Sequence, residues 1–202
     1  MPGPAPVGAT LGWATNILPA ATATPASARY DWAVLETIIS VPQGYQGIAA
    51  GKLIRQWQQQ DRQYFHYKTT DAVRNLPAVI AVPWQPQQST QDGVTLEIYS
   101  PIYNAATGLN MQAMQQTLHW FGTNMGAYPG DALRLVMMPD VGPTGYALPQ
   151  LVLINHRVGL RALPTADAPF SQLYRRAAHE VAHQWFGHGI GNGVPGDSAF
   201  LV

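Results

Sequence analysis

Apolar and polar positions follow two rhythms along this chain. Trp32 to Val41, with Val34, Ile38 and Ile39, reads as a strand stopped by Pro42 and Gly44. Lys52–Trp57, Arg62–Lys68 and Pro77–Val82 follow as short β-prone runs at hairpin-like spacing, with Gln59, Gln60 and Asp61 as a polar turn between two of them. Together they predict an antiparallel β segment over residues 30–84. Residues 1–29, rich in Ala, Pro, Thr and Gly, offer few side chains to a core and predict an arm or linker. The Gln/Pro-rich stretch Pro83–Gln91 reads as a boundary, which leaves residues 85–202 as a second unit.

That second unit alternates strand and helix. Val94, Leu96 and Ile98 share one face and Thr95, Glu97 and Tyr99 the other, the pattern of a half-buried strand. Asn110 then opens a helix with Met111, Met114, Leu118, Phe121 and Met125 at spacings of three and four. Leu133–Met138 and Gln150–Asn155 are continuous apolar runs, expected as strands buried on both faces. A last helix is predicted to begin near Asp167–Pro169, where an acid and an early proline favour a helix start, and to run to Gly187. The fold class expected is α+β, with an antiparallel β segment ahead of a mixed sheet and its helices.

Composition narrows the function classes. The 202 residues carry 11 Lys+Arg against 11 Asp+Glu, and no basic run, which argues against a chain built to hold nucleic acid or an anionic membrane. Cysteine is absent, so a disulfide framework, thiolate metal sites and a cysteine nucleophile are excluded, while the compartment stays open. No apolar run approaches the ~18 residues of a membrane span, and the N-terminus lacks the basic and apolar regions of a signal peptide, so a soluble chain is expected.

The chemistry lies in the last helix, at His179-Glu180-Val181-Ala182-His183. Two histidines four residues apart on a helix point to the same side, so both imidazoles can reach one ion. Neutral imidazole suits tetrahedral zinc, and a carboxylate beside the first histidine can take a proton from an activated water. Phe170, Leu173, Tyr174, Ala177, Val181 and Trp185 form an apolar stripe roughly opposite the two histidines, as in a helix packed by one face and lining a cleft with the other. The competing reading is a solvated polar face. Chance assembly is a poor explanation in a chain with six His and three Glu.

The stretch His179–Gly187, HEVAHQWFG, resembles the aminopeptidase-N-like zinc metallopeptidases, a gluzincin family. Trp120-Phe121, Met125–Pro129 and Leu133–Asp140 are similar to that family's helix, tyrosine-proline turn and following strand, and Trp32–Val82 is loosely similar to the end of its N-terminal β domain. The resemblance implies a thermolysin-like domain, a peptide substrate, zinc held by His179 and His183, and Glu180 as general base. It also sets the family's amine-binding loop at Gly145–Pro149, which puts Gly145 and Ala147 against substrate, with Leu148 where the family has a glutamate. The family's third ligand, a glutamate, would fall at or just past Val202, so the chain is expected to be part of a longer protein whose remainder completes the site. Asp197 is the one acid after the motif. The alternative is an inert or peptide-binding module that keeps the fold. The other histidines are read as structural. His188 is set off the metal-binding face, His66 and His119 are placed in aromatic packing, and His156 closes a strand, with a substrate contact as its alternative. Met111, Met114 and Met125 are read as helix core.

Overall fold

The computed structural model describes residues 10–12, 32–139, 145–159 and 171–190. The first unit holds β1 (Thr10–Gly12), β2 (Trp32–Ala33), β3 (Glu36–Pro42), β4 (Gln46–Ile48), β5 (Lys52–Gln59), β6 (Arg62–Lys68), β7 (Val73–Arg74) and β8 (Val79–Val82). The second holds β9 (Gln87–Gln91), β10 (Val94–Tyr99), α1 (Ala105–Met125), β11 (Ala132–Met138), β12 (Gly145–Leu148), β13 (Leu151–Asn155), α2 (His156–Gly159) and α3 (Gln172–Ala182). The molecule is mixed α+β. No helix among the described residues is long and apolar enough to cross a membrane.

A five-stranded sheet in the order β12-β13-β11-β10-β9 is the spine. Its central pairs, β10 with β11 and β11 with β13, are parallel, and its outer strands β9 and β12 run antiparallel. Every residue of β11 and β13 is buried, which explains their continuous apolar runs: both sheet faces are covered. On one face Leu96, Ile98, Leu133, Leu135, Met137, Val152 and Ile154 pack against Met114 and Leu118 of α1 and Ala177 and Val181 of α3. On the other, Tyr99, Val136, Met138 and Leu153 meet Ile48, Ile80 and Val82 from the sheet β1-β8-β4. The next residues of β8, Val79 and Ala81, face the opposite way, towards Ile39, Val41, Phe65 and Tyr67 of the sheet β3-β6-β5. Helices and three sheets thus stack in four layers, each large buried side chain contributing roughly 1.5–3 kcal/mol.

Several predicted boundaries move. The polar stretch Pro83–Gln91 contains β9, an edge strand whose burial pattern leaves its side chains mostly in water, so it needs no apolar residues. Helix α1 starts at Ala105, ahead of Asn110, because Asn104 caps it: its side chain accepts from the backbone of Ala106 and Thr107, and Thr107 returns a bond to Asn104. Met125, read as core, is 46% exposed at the end of that helix. His66 and His119 are not core residues; they contact Glu36 (2.7 Å) and Asp92 (2.9 Å) near the surface. The arm 1–29 lies outside the described residues except for β1, which adds antiparallel to β8. The expected helix start at Asp167–Pro169, together with Asp140, Phe170, Asp197 and Val202, also lies outside them.

The largest correction concerns α3. It is capped by Ser171 and ends at Ala182 rather than running to Gly187. Beyond it the backbone tightens into i→i−3 bonds, Gln184 to Val181 and Trp185 to Ala182, and Gly187 takes a φ of 102° that closes the turn. Burial of Trp185 in the helix–sheet core drives this turn, with its Nε1 donating to the Gly126 carbonyl at 2.9 Å.

Candidate active site

The last turn of α3 carries the two histidines. His183 is the C-cap yet keeps helical angles, with its N–H on the His179 carbonyl, so both rings project to the same side. Their Nε2 atoms stand 3.1 Å apart, and the rings meet edge to face. Two imidazole nitrogens on one tetrahedral zinc, with Zn–N of about 2.0–2.1 Å, lie about 3.3 Å apart. The pair fits a shared ion. The Phe186 carbonyl sits 3.1 Å from His183 Nδ1, an outer contact that holds this ring with Nε2 turned towards His179. Burial holds the His179 imidazole below its ordinary value, against the pull of the neighbouring Glu180 carboxylate, which favours the neutral ligand form. Among the described residues no group of three or more His, Asp or Glu could close a complete metal shell.

Glu180 turns inward. It is 3% exposed, and Arg176, one helical turn earlier, pairs with its Oε1 at 3.2 Å. Its carboxylate packs on the α-carbon of Gly145, the first residue of β12: a Cβ built there would lie 2.3 Å from Oε1. Glycine at 145 is therefore what gives the carboxylate its place. A cavity of about 410 Å³ opens here, lined by His179, Glu180, His183, Gly145, Ala147 and His188 among others.

Each residue singled out from the sequence can now be located. His179, Glu180, His183, Gly145 and Ala147 all reach this one cavity. Leu148 does not line it: the side chain is buried in the core facing β4 and β8, while its carbonyl accepts from Gln184 Nε2 at 3.0 Å. His156 sits elsewhere, with Nδ1 3.3 Å from the Met138 carbonyl. His188 departs from its sequence reading. The turn after α3 swings it back into the cavity wall, where Nε2 contacts the Ala147 carbonyl at 3.1 Å and burial pushes the imidazole down to about 4. Arg74 and Leu76, from the first unit, and Tyr146 and Arg176 also line the cavity. No motif flags them, because only the stacking of the layers brings residue 74 to residue 188.

The fold and the cavity define a mixed α+β protein with a two-histidine, one-carboxylate cleft at the edge of a mixed sheet. No family model matches this chain, and no curated protein matches it.

Proposed function

We propose that this chain is part of a zinc-dependent metallopeptidase of thermolysin-like architecture, hydrolysing peptides as the aminopeptidase-N-like proteins it resembles do. The observation that carries the reading is the His179–His183 pair, its Nε2 atoms 3.1 Å apart beside a buried carboxylate. His179 and His183 would hold the metal; a third ligand is not among the described residues. When bound, zinc supplies Lewis-acid activation of water and of the scissile carbonyl. Glu180 takes the proton of the attacking water and passes it to the leaving amine. Arg176 balances the charge of that buried carboxylate, and Gly145 leaves it room. Strand β12, at the sheet edge, offers main-chain groups to an extended peptide.

Two measurements test this. The chain is expected to bind one zinc weakly, since two neutral ligands leave most of the shell to water, and to lose it in His179→Ala and His183→Ala. Unchanged zinc binding in both variants would overturn the reading. In the full-length protein, Glu180→Gln is expected to lower kcat by roughly 10²–10⁴. Because leucine stands at 148, no carboxylate from that position meets a free amine, so the strong preference for a free over an N-acetylated N-terminus is expected to be lost; abolition of cleavage by acetylation would refute that point. The position of Leu148 also favours a second reading, a peptide-binding module without turnover. In that case peptides bind the protein and its Glu180→Gln variant equally and neither cleaves them.

A further inference from the structure

Strand β12 is the outermost strand of its sheet, paired on one side by β13. On such an edge every second residue turns its N–H and C=O away from the partner strand. Ala147 is one of these, since its carbonyl accepts from His188; Gly145, two residues earlier, is the next. Both border the cavity that holds His179, Glu180 and His183. A peptide adding to this edge would therefore find two places to pair, and a slip between them would move a different peptide bond opposite Glu180.

His188 occupies one of the two. A carbonyl can only accept, so Nε2 carries the proton and Nδ1 is a bare acceptor. That Nδ1 is buried with no hydrogen-bond partner among the described residues. The ring's placement is built into the fold: the His188 N–H bonds the His183 carbonyl at 3.1 Å and the Gly189 N–H bonds the Trp185 carbonyl at 3.1 Å. A buried acceptor left unsatisfied is costly. The contact is thus held in place by the turn, yet only half satisfied, and a competing ligand N–H can contest it.

We propose that His188 is a specificity-determining residue of the cleft: by holding the Ala147 carbonyl it confines backbone pairing on β12 to Gly145 and sets a single register for a bound peptide. The proposal rests on the reading of the cleft as a peptide site. Gly145 is where the Glu180 carboxylate lies against the strand, so the register kept by His188 presents one peptide bond to that carboxylate.

The test is a backbone scan of binding. A pentapeptide blocked at both ends, and its derivatives N-methylated at one amide at a time, are titrated into the wild-type chain and into His188→Ala, His188→Phe and His188→Gln. In the wild type, methylation at one amide is expected to weaken binding about tenfold. In His188→Ala and His188→Phe the parent peptide is expected to bind about tenfold tighter, and a second amide, two residues along, to become sensitive. His188→Gln, which keeps a donor, is expected to retain the wild-type profile. Thermal unfolding shows whether each variant folds, and the two apolar replacements differ enough in size that one should. Two sensitive amides in the wild type, or an unchanged profile in the apolar variants, overturn the role of His188 while leaving the peptide site intact. Failure of every peptide to bind overturns the peptide-site reading and this one together, and zinc binding at His179 and His183 is read out separately.

Discussion

Gly145 and Glu180 show how one residue's chemistry rests on another's missing side chain. The carboxylate lies where a Cβ at 145 would be, so Gly145→Ala must push the acid, the strand or both. Overpacking of this kind costs about 1–3 kcal/mol. We expect Gly145→Ala to lower stability to urea by that amount and to cut hydrolysis by the full-length protein, with zinc still taken up by the histidines. Wild-type stability in the variant would mean that Glu180 has room to move and that glycine is not needed there. Arg176 is a different case. It is about a third exposed, so its pairing with Glu180 is partly screened, and its value lies in orienting the acid more than in holding the fold together.

The element that carries the histidine pair is a helix of 11 residues, too short to persist alone. Its order comes from Leu173, Ala177 and Val181 packing on the sheet and from Trp185 just past its end, which stacks on Phe121 at 5.2 Å and tilts against Tyr128 at 5.7 Å. Helix α1 is the platform for this packing, and its own start depends on Asn104. Asn104→Ala removes the oxygen that takes the Ala106 and Thr107 amides, and is expected to cost about 1 kcal/mol in denaturant unfolding. No change in the midpoint would show that solvent satisfies those amides equally well. The hairpin that brings Gly145 and Ala147 to the cleft is tied to α3 by Gln184, whose Oε1 accepts from the Gln150 N–H at 2.8 Å and whose Nε2 donates to the Leu148 carbonyl. Helix end and edge strand are thereby set as one piece.

The layers of the molecule are joined by polar contacts as well as apolar ones. Arg134 of β11, 2% exposed, donates to Glu97 of β10 at 2.6 Å, reaches the Ala49 and Gly51 carbonyls of the first unit, and lies over the Tyr67 ring at 4.8 Å. Burial is the largest single influence and works against the guanidinium charge, but Glu97 together with the Tyr67 and Tyr99 hydroxyls outweighs it and keeps the group cationic. Removing one partner of a buried pair strands the other, so Glu97→Gln is expected to destabilise the whole fold by about 3–5 kcal/mol. Cooperative urea unfolding with an unchanged midpoint would refute this. Three phenols are buried, one in each of the three apolar clusters between the layers. Burial pushes Tyr67 up to about 12, and Tyr99 and Tyr128 further up, from an ordinary value of 10.0. Their folded values exceed the unfolded one, so their contribution is complete below pH 10 and lost as pH rises through the folded values. Above pH 10 the unfolded chain gives up three protons that the native chain keeps, and stability should fall by up to about 4 kcal/mol per pH unit. Tyrosinate absorbance that rises together with unfolding supports this; phenols that titrate in the folded state do not.

What was legible in the sequence followed from short-range periodicity. Continuous apolar runs marked β11 and β13, and spacing placed His179 and His183 on one side of a helix, because helix and strand geometry translate spacing directly into faces. Alternation located β10 but not its burial, since Glu97 and Tyr99 on the face expected to be open are covered as well. The limits of that periodicity are equally physical. Strand β9 is an edge with polar side chains, so nothing apolar announces it. The early start of α1 rests on one cap rather than on a stripe. The stop of α3 at Ala182 is imposed by where Trp185 can bury its indole, and that depends on Phe121 and Tyr128, more than fifty residues away. Residue types within one helical turn determined that His179, Glu180 and His183 would share a face or flank it. Only the packing of α3 and its following turn on one face of the five-stranded sheet, and of the β1-β8-β4 sheet on the other, decided that Glu180 would turn inward onto Gly145, that Leu148 would leave the cleft for the core, and that His188 would come back to the Ala147 carbonyl. Those contacts join segments far apart in the chain, and a one-dimensional pattern carries no record of which distant backbone leaves room for which side chain.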